Sequence, residues 1–382
     1  MSPHQGLLRL SRQCPRAAAH AARQTRLSHA SKQPSSALSA IAKPSAKTIF
    51  SGIQPTGVPH LGNYLGALRQ WVGLQNEASS DTTLIYSLVD LHAITIRQDP
   101  KQLRQWKKES LAMLLAIGLN PQRSIIFHQS DVPAHAELMW ILSCQASTGY
   151  LGRMTQWKDK TAEKDGSEKL KLGLFSYPVL QAADVLIHGA THVPVGHDQA
   201  QHLEFARQIA NGFNEVYGEA ILTPPETLIS PAKRIMSLTE PERKMSKSHP
   251  NPKSRILLTD PDDVIRSKIK SAITDSHKSI TYEPARRPGV SNLLDIFYHS
   301  GESVETESQE ALAAHMDGLS MRALKEEVAM AVIEVIRPIR ERYERLVQDE
   351  ATLKAVAEEG AEKAAISAAV TMRHVKRAVG LS

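Results

Sequence analysis

The stretch TIFSGIQPTGVPHLGNYLGALRQW, Thr48 to Trp71, decides the fold. Thr48, Ile49 and Phe50 form a short apolar run, and after it Gly52, Gly57, Gly62 and Gly66 recur at intervals of four or five with Pro55 and Pro59 between them. A plain turn needs one or two such residues. A short strand, a glycine-rich turn and then a helix is a general device for bringing backbone amides and a helix N-terminus against phosphate. Gly52 and Gly62 allow close approach by a base or sugar, while His60 and Asn63 stand where they can donate to phosphate oxygens. The segment has neither GxxxxGK[ST] nor GxGxxG, so it is not a P-loop or a dinucleotide fingerprint.

The same alternation continues outward from this stretch. TTLIYSLVD at 82 to 90 and SIIFHQS at 124 to 130 read as strands, and helices are expected from about Gly62, after Asp99 and Pro100, from about Pro133 and from about Asp198. Strands separated by helices in this order predict an α/β fold of βαβ units around a parallel sheet. Asp99 can cap free amides and Pro100 has none to satisfy, which makes a well-formed helix start. KDKTAEKDGSEKLK, Lys158 to Lys171, reads as a solvated excursion. From about Asp262 the pattern turns helical: Leu324, Val328, Val332, Val335, Ile339, Tyr343 and Leu346 line one face of a long helix, with a kink expected at Pro338.

The formal charge of +6 is a property of the leader. Residues 1 to 47 hold eight Lys or Arg and no acid, which leaves 38 basic against 40 acidic residues from 48 onward. Global charge is therefore weak evidence for an RNA partner. The Arg-, Ser- and Ala-rich composition suits an organelle import segment, expected here to lead to the mitochondrial matrix; a basic tail on a cytosolic protein and plastid import are the alternatives. No window has the roughly 20 mostly apolar residues of a membrane span. Cys14 lies in the leader and Cys144 stands alone after it, which excludes an internal disulfide in the mature chain and a cysteine metal cluster; Cys144 reads as a buried small hydrophobe.

A second signal is RKMSKSHPNP, Arg243 to Pro252, where Lys244, Lys247, Ser246 and Ser248 put two ammonium groups and two hydroxyls on one loop, suited to meeting charge on a departing phosphate. Alone it would be an ordinary basic turn or a modification site.

Together PHLGN at 59 to 63 and KMSKS at 244 to 248 resemble the two signatures of class I aminoacyl-tRNA synthetases. The surrounding words IFSGIQPTG, DLHAIT, YPVLQAADVL, VPVGHDQAQHLE and ITDSHKSITYEPARRPGVSNLLDI look like those of bacterial or organellar tryptophanyl-tRNA synthetases, and the resemblance runs from Thr48 to the C-terminus. The first signature reads HLGN here rather than HIGH.

The resemblance implies a Rossmann-like nucleotide-binding domain at 48–261 and a C-terminal α-helical region at 262–382 that reads the tRNA anticodon. It further implies ATP as substrate with Mg2+, a tRNA and L-tryptophan as partners, and a homodimer. By the same resemblance His60 and Asn63 contact ATP phosphate and Gly62 leaves room for adenosine. Lys244, Ser246 and Lys247 match the loop that grips pyrophosphate, and Gln54 and Asp198 lie near the ribose. Read from the residues alone, Gly52 belongs with the nucleotide and Lys158 is a candidate for phosphate or for supporting the pocket, with a surface ion pair as its alternative. Asp184 looks like the carboxylate that accepts the indole N–H, with Ala182 and Ala183 leaving ring space, Tyr177 and Gln199 orienting the ammonium, and His92 beside the substrate. Two positions depart from the family's pattern: Gln181 stands where Met is frequent and His197 where Glu is.

Phe or Leu in such a pocket would leave Asp184 without a donor, an expected penalty of a few kcal/mol. A tyrosyl-type synthetase and a noncatalytic synthetase-like RNA-binding protein are the alternatives that chemistry alone leaves open. In RPIRERYERL, Arg337, Arg340, Arg342 and Arg345 are candidates for tRNA contact, with ion pairing to interleaved acids as the competing explanation.

Overall fold

The computed structural model describes residues 47–162, 171–196, 199–229, 234–301 and 307–382. Five parallel strands form one sheet: β1 (Thr48–Ile53), β2 (Thr83–Leu88), β3 (Ile125–His128), β4 (His192–Val195) and β5 (Glu226–Ile229), in the order β3-β2-β1-β4-β5. β1 thus begins the ladder in both directions, and the order reverses between β1 and β4. In open parallel sheets ligands bind at that reversal, beyond the carboxyl ends of the strands.

The expected crossover helices are present. α1 runs on from β1 through Leu61–Asn63, a π-helical turn at Tyr64–Leu68, and Arg69–Glu77. α2 (Pro100–Ala116) starts as the sequence dictates, with Asp99 accepting the Gln102 amide at 2.8 Å and Pro100 in its first turn. α3 (Ala134–Ser143), α4 (Leu172–Leu186) and α5 (Ala200–Tyr217) complete the α/β layer, with Gly218 closing α5 in the left-handed conformation.

β4 and β5 are four residues each and carry no length or period from which to predict them. Pro194 in β4 has no N–H to give to the ladder, and β1 meets β4 at the single pair Ile49 and His192. The Ser51 hydroxyl instead donates to the Pro194 carbonyl at 3.2 Å. The sheet is least tightly paired there, at the point where its order reverses.

Beyond Asp262 come α6 (Asp262–Lys270), α7 (Pro288–Ser300), α8 (Met321–Leu346) and α9 (Glu350–Val379). The expected stripe on α8 is core at Leu324, Val328, Val332, Ile339 and Tyr343, while Val335 and Leu346 are half-buried; Pro338 lies inside the helix without ending it. These helices share one apolar core with α1, α2 and the strands β1, β2 and β3. α9 returns over β3, and a Cβ at Gly360 would fall 1.8 Å from the Ile126 carbonyl oxygen, so the crossing admits no side chain.

Two expectations need correction. Cys144 is exposed, because it caps the C-terminus of α3 four residues after Trp140, which is itself 70% exposed on the same helix. Arg337 and Arg340 meet Asp262 on the facing helix α6, Arg340 also donates to the Asp260 carbonyl, and Arg342 donates to the Ala116 carbonyl at 2.7 Å. Within this arginine run the structural explanation covers three of the four, mainly through a neighbouring helix rather than through Glu341 and Glu344. The Lys158–Lys171 excursion falls outside the described residues over 163–170. No helix among the described residues is long and apolar enough to cross a membrane.

Candidate active site

A cavity of about 320 Å³ opens at the carboxyl ends of β1, β2 and β4. Phe50 to Gln54 form its β1 side, Val89 and His92 follow β2, Val193 and Val195 come from β4, and α4 closes it with Tyr177, Gln181, Asp184 and Val185. Of the residues singled out in the sequence, Gly52, Gln54, His92, Tyr177, Asp184 and Gln199 meet here. A Cβ at Gly52 would come 2.8 Å from Val89 Cγ1, so that wall has no room for a larger residue.

Asp184 is 2% exposed and fully engaged from behind. His92 Nε2–H donates to Oδ2 at 2.8 Å, while Gln129 Nε2 and His135 Nδ1–H donate to Oδ1 at 2.6 and 2.8 Å. Burial pushes the carboxyl pKa up, but the bonds from His135 and His92 outweigh it and hold the group down at about 2. A carboxylate offers about four acceptor sites, so one remains, on Oδ2. A ring without N–H therefore does not strand Asp184 without a donor, contrary to the expectation from sequence. The geometry makes the penalty smaller, because three donors are permanent.

Tyr177 donates its hydroxyl to Gln156 Oε1 at 2.9 Å and meets His202 Nε2 at 3.0 Å, and burial pushes its pKa up to about 12, so it stays a phenol. Gln181 faces the cavity and donates to Gln199 Oε1 at 3.2 Å; the unusual amide is a polar part of the wall.

The two signatures lie beside this cavity, joined to each other. Leu61 N donates to Ile256 O at 2.8 Å and Leu258 N to Pro59 O at 3.0 Å, so the segment after the lysine loop pairs with the turn before α1. Lys247 Nζ donates to the Gly57 carbonyl at 2.7 Å, three residues from Gln54. Met245 is buried and anchors the loop through Ile235, leaving Lys244 exposed and Ser246 bonded to Ser248.

His60 is the N-cap of α1: its Nδ1 accepts from Asn63 N at 3.2 Å, and its own amide donates to Asn63 Oδ1 at 3.1 Å. Burial, then Lys247, Lys244 and Arg255, push its pKa down to about 3. The ring is therefore neutral, and with Nδ1 accepting, its proton sits on Nε2 as a donor. Burial also pushes Lys247 down to about 8. A Cβ at Gly62 would press on the His60 ring at 3.1 Å. Lys158 is exposed two residues past Gln156, and Asp198 and His197 lie outside the described residues.

Gln129, His135 and His188 were not legible as site residues. Their only sequence signal is weak: Gln129 directly follows the strand residue His128, and His188 stands four residues after Asp184, one helical turn on.

Residues 43–337 match the family model described as tRNA synthetases class I (W and Y). The chain is 46% identical over 348 residues to the mitochondrial tryptophan–tRNA ligase of Schizosaccharomyces pombe, covering 87% of this chain and 95% of that one. It is 43% identical over 336 residues to the tryptophan–tRNA ligase of Halalkalibacterium halodurans, covering 88% and 98%. Among solved structures, the tryptophanyl-tRNA synthetase of Mycoplasma pneumoniae superposes with a TM-score of 0.78 at 32% identity over 88% of this chain and 98% of that one. The enzyme of Campylobacter jejuni, complexed with ADP and tryptophan, gives 0.72 at 31% over 87% and 100%.

Proposed function

The chain belongs to the class I aminoacyl-tRNA synthetases, in the tryptophanyl-tRNA ligase family, and on that premise we propose how its residues divide the ATP-dependent activation of tryptophan and its transfer to tRNA(Trp). The observation that carries the reading is the placement of a buried carboxylate, Asp184, in the same cavity as Gly52 and Gln54 of the glycine-rich turn. The remaining acceptor site on Oδ2 takes the indole N–H and Tyr177 with Gln199 holds the ammonium, while Ala182 and Ala183 are packed in the core and do not line the cavity. His92 fixes the carboxylate from one side.

No protein nucleophile is needed. The tryptophan carboxylate oxygen attacks the α-phosphorus of ATP in line, the bond to the bridging oxygen breaks, and pyrophosphate leaves with the electron pair. The ribose hydroxyl of the tRNA terminus then displaces AMP from the activated acyl carbon. His60 Nε2–H, Asn63, Lys244, Ser246 and Lys247 meet the phosphate charge, and catalysis is positioning plus electrostatics. Gln54, Gly52, Gly62, Asp198 and Lys158 belong to the nucleotide side of the same proposal. The carboxylates nearest the lysine loop are already paired, Glu240 with Arg243 and His249 and Asp260 with Lys268, so Mg2+ fits as an ion carried on phosphate oxygens, where it would supply further charge neutralisation.

Residues 48–261 form the catalytic part and 262–382 the tRNA-reading helices in this proposal. Arg345, exposed on α8, is the member of its run left to meet RNA. Exposed Trp140 on α3 suits the buried face of a homodimer. Import into the mitochondrial matrix rests on the acid-free basic leader and on the mitochondrial relative; sequencing the N-terminus of the fractionated mature protein tests it, and an intact Met1 in the cytosol refutes it.

The deciding assay is pyrophosphate exchange and tRNA charging with tryptophan and tyrosine in parallel. Tryptophan-dependent exchange and charging are expected. Tyrosine-only charging, or no exchange from folded protein with magnesium, overturns the reading.

A further inference from the structure

Behind Asp184 lies a chain of side chains that the proposed reaction does not use. His135 is fully buried; its Nδ1 meets Asp184 Oδ1, and its Nε2 lies 3.3 Å from His188 Nε2. His188 Nδ1 in turn lies 3.1 Å from the hydroxyl of Ser367 on α9. Aromatic rings hold both imidazoles: Phe127 contacts His135 and His188 at 5.6 and 5.8 Å between centroids, and Phe50, a cavity residue, stacks on His188 at 5.7 Å.

The directions of these bonds follow from the carboxylate end. Asp184 only accepts, so His135 Nδ1 carries a proton. If the carboxylate is the single charge in this buried cluster, His135 Nε2 is an acceptor and His188 Nε2–H donates to it. His188 Nδ1 then accepts from Ser367 Oγ–H. Every proton points toward Asp184, so each member fixes the tautomer of the next. The chain ends on a helix that begins more than 160 residues after Asp184 and packs over β3, which no local pattern reveals.

We propose that His135, oriented by His188 and Ser367, is a positioning residue for amino-acid specificity: it locks the Asp184 carboxylate so that its remaining acceptor site on Oδ2 faces the cavity. The inference rests on the reading that the indole N–H meets Asp184. Without the His135 bond, Gln129 alone remains on Oδ1 opposite His92 on Oδ2; the carboxylate is held less tightly and gains a lone pair that water can take, and a substrate with N–H loses part of its advantage over one without it.

The probe is the ratio of kcat/KM in pyrophosphate exchange for tryptophan and for 3-benzothienylalanine, in which sulfur replaces the ring N–H. The wild-type ratio is expected to be about 10 to 100 in favour of tryptophan. His135→Asn offers an amide N–H near the position of Nδ1 and should keep the ratio within about threefold. His135→Gln offers its amide near Nε2 and should lower the ratio about tenfold. Ser367→Ala, at the far end and away from the cavity, should lower it about two- to threefold.

A packing role alone predicts that Asn and Gln behave alike and that both substrates weaken in parallel; that outcome overturns the proposal. A wild-type ratio in His135→Gln does the same. Asp184→Asn separates the two layers. If it leaves the ratio at the wild-type value, the reading of Asp184 itself is wrong. If it abolishes the preference while His135→Gln does not, the positioning inference fails and the reading stands.

Discussion

At the floor of the cavity Asp184 is buried and held by three hydrogen bonds, whereas at the neighbouring turn Lys244 is exposed and Lys247 reaches across to one carbonyl, that of Gly57. The floor is made of α4 and strand ends packed in the core; the side we propose for phosphate is made of two loops tied by backbone bonds near Pro59, Leu61, Ile256 and Leu258. The difference follows from what each end must do. A neutral indole is distinguished by one hydrogen bond, which has to be fixed in place before the substrate arrives. A leaving pyrophosphate brings several charges, and in our proposal the exposed Lys244 and the partly desolvated Lys247 meet them from two loops.

If the two ends are as separate as this, their variants have different signatures. The largest effect belongs to Lys247→Met, which removes an ammonium where charge develops: kcat for pyrophosphate exchange should fall about 10²- to 10³-fold with KM for tryptophan nearly unchanged. Asp184→Asn should lower kcat/KM for tryptophan about a hundredfold, mainly through KM, because a charge-assisted acceptor is replaced by an amide that also faces the donors behind it. Steady-state titration of tryptophan at saturating ATP reads both, and a large tryptophan KM change in Lys247→Met would merge the two ends.

The ends also differ in how they titrate. Lys247 is protonated below about pH 8, so kcat/KM for ATP with saturating magnesium should be level toward pH 6 and fall about tenfold per unit above 8. His60, held at about 3, should add no limb between pH 5 and 8. For stability the sign runs the other way: His60 and His188 have folded pKa values lowered to about 3, so their contribution is complete above about 6.5 and is lost as pH falls toward 3. Asp184 adds a loss between about 4 and 2. Denaturant midpoints that stay flat from pH 7 to 4 would contradict the neutral, buried histidines. The smallest effect is expected of Gln181→Met, which gives up one bond to Gln199 and should change KM for tryptophan by no more than about threefold.

How much of this was legible in the sequence divides along the same line. The strand, turn and helix at Thr48–Trp71, the Asp99–Pro100 start of α2 and the α8 stripe are local patterns, and the structure has them where the periodicity puts them. The lysine loop and the HLGN turn were legible as motifs because their chemistry is concentrated in a few adjacent residues. β4 and β5 were not, being four residues long with a proline inside one of them. Asp184 was legible through its surrounding words, but its partners Gln129, His135 and His188 come from other elements, and only tertiary packing brings them together. Arg340 shows the converse: its charge pattern leaves RNA contact and ion pairing within the helix both open, and the pairing it makes is mainly with Asp262, 78 residues earlier in the chain.

The separation of the two ends is tested most directly by a double-mutant cycle between Asp184→Asn and Lys247→Met, measured as kcat/KM for tryptophan in pyrophosphate exchange. Two sites with no shared partner should act additively, with the double variant within about 0.5 kcal/mol of the sum of the singles. A coupling above about 1.5 kcal/mol would mean that the floor and the phosphate loops work as one unit, and would contradict the account.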